Sequence, residues 1–231
     1  MGAQLHFGRW QDALAHVDAV DAVICDPPYG ARTHEGVNLL LRDDNVMPDA
    51  ANRMPIAYDA MMPSEVAAFV EAWAPRCSGW MVAMTSHDLI QAWEQAYERA
   101  GRLAFAPVPI IQKRPRLVGD GPSSWAVYAM VSRPRTRAMA TWGCLPGAYE
   151  APTVKDAGLA GAKPLDLMRA IVRDYSRPGD LVCDPFVGSG TTLLAAVMEG
   201  RRAVGAEEKP EHFEIARARL ARGYTPTMFA E

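Results

Sequence analysis

The sequence predicts an α/β fold, a mostly parallel sheet flanked by helices in one domain. Three stretches carry that prediction. Leu181-Val182-Cys183 runs into Asp184-Pro185-Phe186-Val187-Gly188-Ser189-Gly190-Thr191-Thr192 and out through Leu193-Leu194-Ala195-Ala196, the pattern of strand, tight turn and helix. A second apolar run, Ala203-Val204-Gly205-Ala206, ends in the carboxylate Glu207. A third, Asp21-Ala22-Val23-Ile24-Cys25, delivers Asp26-Pro27-Pro28-Tyr29-Gly30, whose paired prolines stop the strand and fix the turn. Short apolar runs without polar alternation are what strands buried on both faces look like.

Taken in order, Gln4 to Gly8 reads as a short strand and Asp12 to Val17 as a short helix, before the buried strand that ends at Cys25. Arg42 to Asp59 is polar, carries Pro48 and Pro55 and shows no clean period, which predicts a long loop. Ser64 to Trp73 reads as a helix capped by Ser64. Trp80 to Met84 follows as a strand, then Asp88 to Ala100 as a helix ended by Gly101. Leu89, Trp93, Ala96 and Tyr97 share one face of that helix and are read as core. Leu103–Gln112 and Trp125–Ser132 read as strands around a loop, Lys113 to Pro122. Pro134 to Ala162 is irregular and rich in glycine and proline. Lys163-Pro164 then opens a helix running to about Tyr175, and Pro178-Gly179-Asp180 turns into the first strand described above.

At 231 residues the chain suits one α/β domain with a sizeable core. No run is long and apolar enough to span a membrane, and the N-terminal residues lack the basic and apolar blocks of a signal peptide. The four cysteines (Cys25, Cys77, Cys144 and Cys183) occur singly, so packing is a better reading than metal binding or disulfides, and a cytoplasmic, reduced protein without a metal is expected. The net charge of −3 announces no nucleic-acid partner for the whole chain. Locally the balance differs. Lys113, Arg114, Arg116, Arg133, Arg135 and Arg137 stand against the single acid Asp120, a local +5 that is either a solvated face or a phosphate-binding patch.

Glycines at 188 and 190 let a ligand approach the main chain, the helix start after them offers N–H groups to an anion, and Glu207 suits a ribose diol. A dinucleotide fingerprint would need a third glycine at position 193, which is Leu193, and a phosphate loop would need a lysine after Gly190, where Thr191 stands.

Asp184-Pro185-Phe186-Val187-Gly188-Ser189-Gly190-Thr191-Thr192 resembles the first motif of the S-adenosylmethionine-dependent DNA amino-methyltransferases. Asp26-Pro27-Pro28-Tyr29 resembles the catalytic motif of the same family. Their order, with the catalytic motif first and Lys163-Pro164 before the cofactor motif, is similar to the circularly permuted β-group. The resemblance implies a Rossmann-like class I methyltransferase fold with a seven-stranded sheet and one antiparallel strand. It implies S-adenosyl-L-methionine as cofactor, bordered by Asp184, Pro185, Phe186, Gly188, Ser189 and Gly190. Glu207 would lie on its ribose, while Lys163, Pro164, Thr191 and Thr192 would lie at its methionine end, with Asp26 adjoining. Double-stranded DNA is the implied partner. Asp-Pro-Pro-Tyr favours adenine N6, with cytosine N4 or an inactive DNA-binding module as alternatives. Residues 134–162 would form a small target-recognition insertion, and a homodimer would enlarge the DNA footprint. On this view Asp26 and the Pro27 carbonyl accept the two amine hydrogens of the target base, Pro28 rigidifies the turn, and Tyr29 stacks on a flipped base. The sequence departs from the family at Gly8-Arg9, where Gly-Asp is frequent; Asp12 is the nearest acid.

Overall fold

The computed structural model describes residues 2–33, 59–116, 124–135, 143–152 and 162–223. Its residues form two compact units, one made of Met1–Cys25, Cys77–Trp80 and Val154–Glu231, the other of Asp26–Arg76 and Met81–Thr153.

The first unit holds a four-stranded parallel sheet. Its strands are β1 (Ala3–Phe7), β2 (Ala22–Cys25), β8 (Leu181–Asp184) and β9 (Arg202–Glu207), in the order β1-β9-β8-β2. Because all four run the same way, Phe7, Glu207, Asp184 and Cys25 end along one edge, where open α/β sheets bind ligands. β2 is buried throughout and β9 buries everything after Arg202, as its apolar composition requires. Gly205 is forced: a Cβ there would meet the Asp184 carbonyl oxygen at 2.5 Å and the Val187 side chain. Helices α4 (Leu165–Tyr175), α5 (Thr191–Met198) and α6 (Pro210–Arg222) cover the sheet, and α1 (Trp10–Ala13) is a single turn. The α1 turn lies earlier than the helix expected at Asp12 to Val17. Outside the sheet, Asp21 accepts the Leu181 N–H at 2.8 Å, and Trp80 packs edge-on against Tyr175 at 5.4 Å.

The second unit holds α2 (Pro63–Trp73), β3 (Met81–Thr85), α3 (Ile90–Arg99), β4 (Arg102–Ala104), β5 (Val108–Arg116), β6 (Ser124–Pro134) and β7 (Tyr149–Ala151). β6 runs antiparallel to β3, β4 and β5, while β5 and β7 are parallel, so β6 is the one reversed strand. β4 and β5 follow the same edge of β6 in succession, as one strand interrupted at residues 105–107. Counted that way, the described strands are the seven expected plus the three-residue β7.

Three local expectations are corrected here. Met62, not Ser64, precedes α2, because Pro63 is suited to the first helical position and Glu65 Oε2 accepts the Met62 N–H at 2.7 Å. The expected helix start at Asp88 is a tight 3-10 turn, His87–Leu89, leading into α3. Lys113 to Arg116 continue β5 past a register shift against β6, so they are strand and not loop. The aromatic face behaves as core. Trp93 and Tyr97 are fully buried, Phe69 meets Trp93 edge-on at 5.7 Å, and their polar atoms bond Thr85 Oγ1 at 3.2 Å and the Met130 carbonyl at 3.3 Å. The loop expected over Arg42 to Asp59 lies, except for Asp59, outside the described residues.

Candidate active-site segments

In the first unit the turn after β8 is held from several sides. Asp184 is buried, and its Oδ1 accepts the Phe186 N–H at 2.9 Å, which closes an Asx turn around Pro185. Gly188 and Gly190 take left-handed φ values of 54° and 81°, which a side chain would strain. Gly190 immediately precedes α5, and its own amide bonds the Val187 carbonyl at 2.9 Å. The amide of Gly188 donates to Glu207 Oε2 at 2.8 Å, and Lys209 N–H donates to Glu207 Oε1 at 2.9 Å. Glu207 is thereby fixed at the strand end and buried. Each of its oxygens has spent one lone pair on these amides, which leaves capacity to accept ribose hydroxyls. His212 Nδ1 stands 3.8 Å from Oε1. Bare backbone at the glycines, the start of α5 and an immobilised carboxylate fit an adenosyl ligand carrying an anionic end.

The remaining first-unit residues flank this turn in sequence. Pro164 is buried and its carbonyl receives the Met168 N–H at 3.1 Å, so Lys163-Pro164 leads directly into α4. Thr191 and Thr192 are buried in the first turn of α5. At the end of β1, Phe7 is 57% exposed and meets Phe213 edge-on at 5.3 Å. Arg9, in the place where Gly-Asp was the familiar pattern, faces Glu208 at 3.9 Å with both side chains exposed. Burial first, and His16 beside it second, lower the His6 pKa from its ordinary value.

In the second unit Asp26-Pro27-Pro28-Tyr29 follows directly on β2. Asp26 is half-buried with Oδ1 shielded from solvent, and Tyr29 is 6% exposed. The segment is tied down at its far end. The Tyr29 carbonyl accepts Met61 N–H at 3.0 Å, Gly30 N–H donates to Ser86 Oγ at 3.0 Å, and Arg32 N–H donates to Asp88 Oδ2 at 3.2 Å. A Cβ on Gly30 would collide with the Asp88 carboxylate. Ser86 and Asp88 escaped the sequence reading because serine and aspartate after a strand look like ordinary turn chemistry.

Of the six basic residues, the side chains of three are described, and they differ in setting. Lys113 and Arg135 are exposed, but Arg133 lays its guanidinium over the Phe105 ring at 5.8 Å and donates to the Pro134 carbonyl at 3.2 Å. Arg114 and Arg116 lie on β5, and Arg137 falls outside the described residues. Trp125 on β6 and Ile111 on β5, both exposed, add apolar surface to the same hairpin. Among the described residues no cluster of three potential metal ligands occurs, and no helix is long and apolar enough to cross a membrane.

With this geometry in view, comparison with solved structures identifies the fold. The M1.HpyAVI–SAM complex superposes with a TM-score of 0.66 at 22% identity, covering 94% of this chain and 98% of that one. The PvuII cytosine-N4-specific DNA methyltransferase gives 0.66 at 14% identity, covering 100% and 89%. The fold is that of the Rossmann-like class I methyltransferases. Residues 135–218 match the N6_N4_Mtase family model, described as DNA methylase. A type II methyltransferase, M2.DpnII of Streptococcus pneumoniae, is 45% identical over 58 residues, which are 25% of this chain and 22% of that protein. The chain's match thus spans about a fifth of that relative's length. The resemblance to S-adenosylmethionine-dependent DNA methyltransferases is borne out by the fold and, in sequence, over residues 135–218.

Proposed function

We propose that the protein is a DNA methyltransferase that uses S-adenosyl-L-methionine to methylate adenine N6 in double-stranded DNA. The observation that carries this reading is the Asp26-Pro27-Pro28-Tyr29 segment, rigid at its prolines and anchored beyond Tyr29 by Ser86, Asp88 and Met61. An exocyclic amine is a poor nucleophile because its lone pair is delocalised into the ring. Asp26 accepts one N6–H and the Pro27 carbonyl accepts the other, which localises the lone pair and offsets the developing positive charge. Pro28 holds the turn, and Tyr29 gives the flipped base an aromatic face. The cofactor, when bound, supplies the sulfonium methyl group. Gly188 and Gly190 admit it to the backbone, Glu207 takes its ribose, Asp184, Pro185 and Phe186 shape the turn, and Ser189, Thr191, Thr192, Lys163 and Pro164 serve its amino-acid end.

Lys113, Arg135 and their neighbours are proposed as phosphate contacts, with residues 134–162 as the recognition segment and a homodimer as the unit that meets DNA. Cytosine N4 is the second reading, favoured by the likeness to the PvuII enzyme and by a family model that names both amines. Incubation with labelled S-adenosylmethionine and genomic DNA, followed by nucleoside digestion, separates the two. N6-methyladenine is the expected product; N4-methylcytosine sinks the adenine assignment, and no labelled base sinks the activity. Light scattering with and without duplex DNA tests the dimer, and a single-chain mass in both states removes it.

A further inference from the structure

The helix α6 touches most of the first unit's turn. His212 stands beside Glu207, Phe213 meets Phe7, and Ala216 sits where a Cβ on Gly190 would come within 3.2 Å. One turn on, Arg219 reaches into the glycine turn itself. Its Nη1 lies 2.7 Å from Thr191 Oγ1, 3.1 Å from Ser189 Oγ and 3.2 Å from the Ser189 carbonyl. Ser189 Oγ and Thr191 Oγ1 are 3.0 Å apart, and both residues are buried.

These distances fix where the hydroxyl protons go. A guanidinium donates and never accepts, so neither hydroxyl points its hydrogen at Arg219. Of the two O–H groups, one is spent in the Ser189–Thr191 bond. The other cannot be directed at Arg219, and being buried it needs an acceptor. Arg219 also brings a positive charge behind the turn. Burial pushes its pKa below the ordinary arginine value, yet among the described residues no carboxylate pairs with it. A donor hydroxyl backed by a buried cation at a helix start is suited to an anionic group.

We infer that Arg219 is a positioning residue that orients the Ser189 and Thr191 hydroxyls to receive the carboxylate of the cofactor's amino-acid end. The inference rests on the proposed cofactor, and it goes beyond it by assigning discrimination between ligands with and without a carboxylate to a residue outside the turn. Lysine in place of arginine would keep the charge but lose the fixed placement of Nη1 against two hydroxyls and a carbonyl.

The test compares two probes by calorimetric titration: S-adenosylhomocysteine, which has the amino-acid end, and 5′-methylthioadenosine, which lacks it. R219Q is expected to weaken S-adenosylhomocysteine binding about tenfold, the loss of one charge-assisted contact. Methylthioadenosine binding should stay unchanged, and R219K should recover part of the loss. The pair Ser189→Ala with Thr191→Val should reproduce the selective loss with Arg219 intact, which keeps the idea testable if R219Q does not fold. Equal losses for both probes would make Arg219 a structural prop and overturn the inference, as would no loss for either. Failure of the parent protein to bind either probe would overturn the functional reading itself, and the inference with it.

Discussion

The glycine turn of the first unit and the Asp-Pro-Pro-Tyr segment of the second are both short connections after a buried strand, but they are made rigid by different means. The turn is stiffened by hydrogen bonds with Glu207 of β9 and Arg219 of α6, and by one with its own Asp184. Asp26 to Tyr29 has two adjacent prolines whose rings restrict the backbone, and it is anchored beyond them at Tyr29 and Gly30. A segment that must accept many donors and acceptors from one ligand benefits from polar partners already in place. A segment that must present acceptors to a base amine benefits from stiffness that does not depend on those acceptors.

The largest effect should come from removing the Asp26 carboxylate. Asp26→Ala should lower the methyl-transfer rate by about 10²–10³ or more while leaving cofactor affinity nearly unchanged. Single-turnover rates and calorimetric titration on one preparation check this. Parent-like turnover would take Asp26 out of the chemistry and remove the contrast between the two segments.

The two crowded glycines sharpen the contrast. A methyl group on Gly205 meets a backbone carbonyl between paired strands, which has nowhere to move, whereas one on Gly30 meets the end of the Asp88 side chain. Gly205→Ala should therefore cost on the order of 3 kcal/mol of stability and Gly30→Ala about 1–2 kcal/mol. Asp88→Ala should restore part of the second loss and none of the first. Denaturant midpoints for the single and double variants measure this, and rescue of Gly205→Ala by Asp88→Ala would contradict the geometry.

On the ligand side, Glu207→Gln leaves shape intact but turns an –NH2 toward one of two amides that now donate to a carboxylate. S-adenosylmethionine affinity should fall by roughly 1.5–3 kcal/mol. Unchanged affinity would mean that Glu207 holds the turn without touching the ribose.

How legible was all this? The strands around the turn could be read because each buries both faces and so carries an uninterrupted apolar run; β2 and β8 are found within a residue of where composition puts them. Asp184, Glu207 and the two glycines were legible for a related reason: a carboxylate or glycine ending such a run has few structural excuses. Arg219 was not. It sits among Arg217 and Arg222 on a helix of charged residues, and only the fold distinguishes the arginine that turns inward from the one that pairs with Glu214 at the surface. Likewise, six basic residues in one stretch look equivalent until Arg133 is seen over Phe105. The break between β4 and β5 was signalled by Pro107 but missed because the apolar run continues on both sides of it, and the pairing with β6 decides it.

The smallest effect tests whether the turn's rigidity depends on its own bonds or on the unit as a whole. Glu199, just past the end of α5, accepts from Arg169 at 2.6 Å and from Arg173 at 3.0 Å, both on α4. Burial alone would raise its pKa, but the hydrogen bonds and charges of the two arginines outweigh that and hold it below the ordinary glutamate value. A carboxyl depressed in the folded state stabilises the fold at pH values above its unfolded pKa. That contribution declines as pH falls from about 4.3 and is gone below the lower folded value. Glu199→Gln should thus cost about 1 kcal/mol at pH 7, since Arg173 is half exposed, and the gap from the parent should close in acid. The pair joins two helices but makes none of the bonds to Gly188, Ser189 or Thr191. Its loss should therefore lower the melting temperature by a few degrees without changing cofactor affinity. Melting curves at pH 7 and pH 4, with titration at pH 7, decide it. An affinity loss comparable to that of Glu207→Gln would mean that the turn is held by the packing of α4 on α5, and not by its own hydrogen bonds.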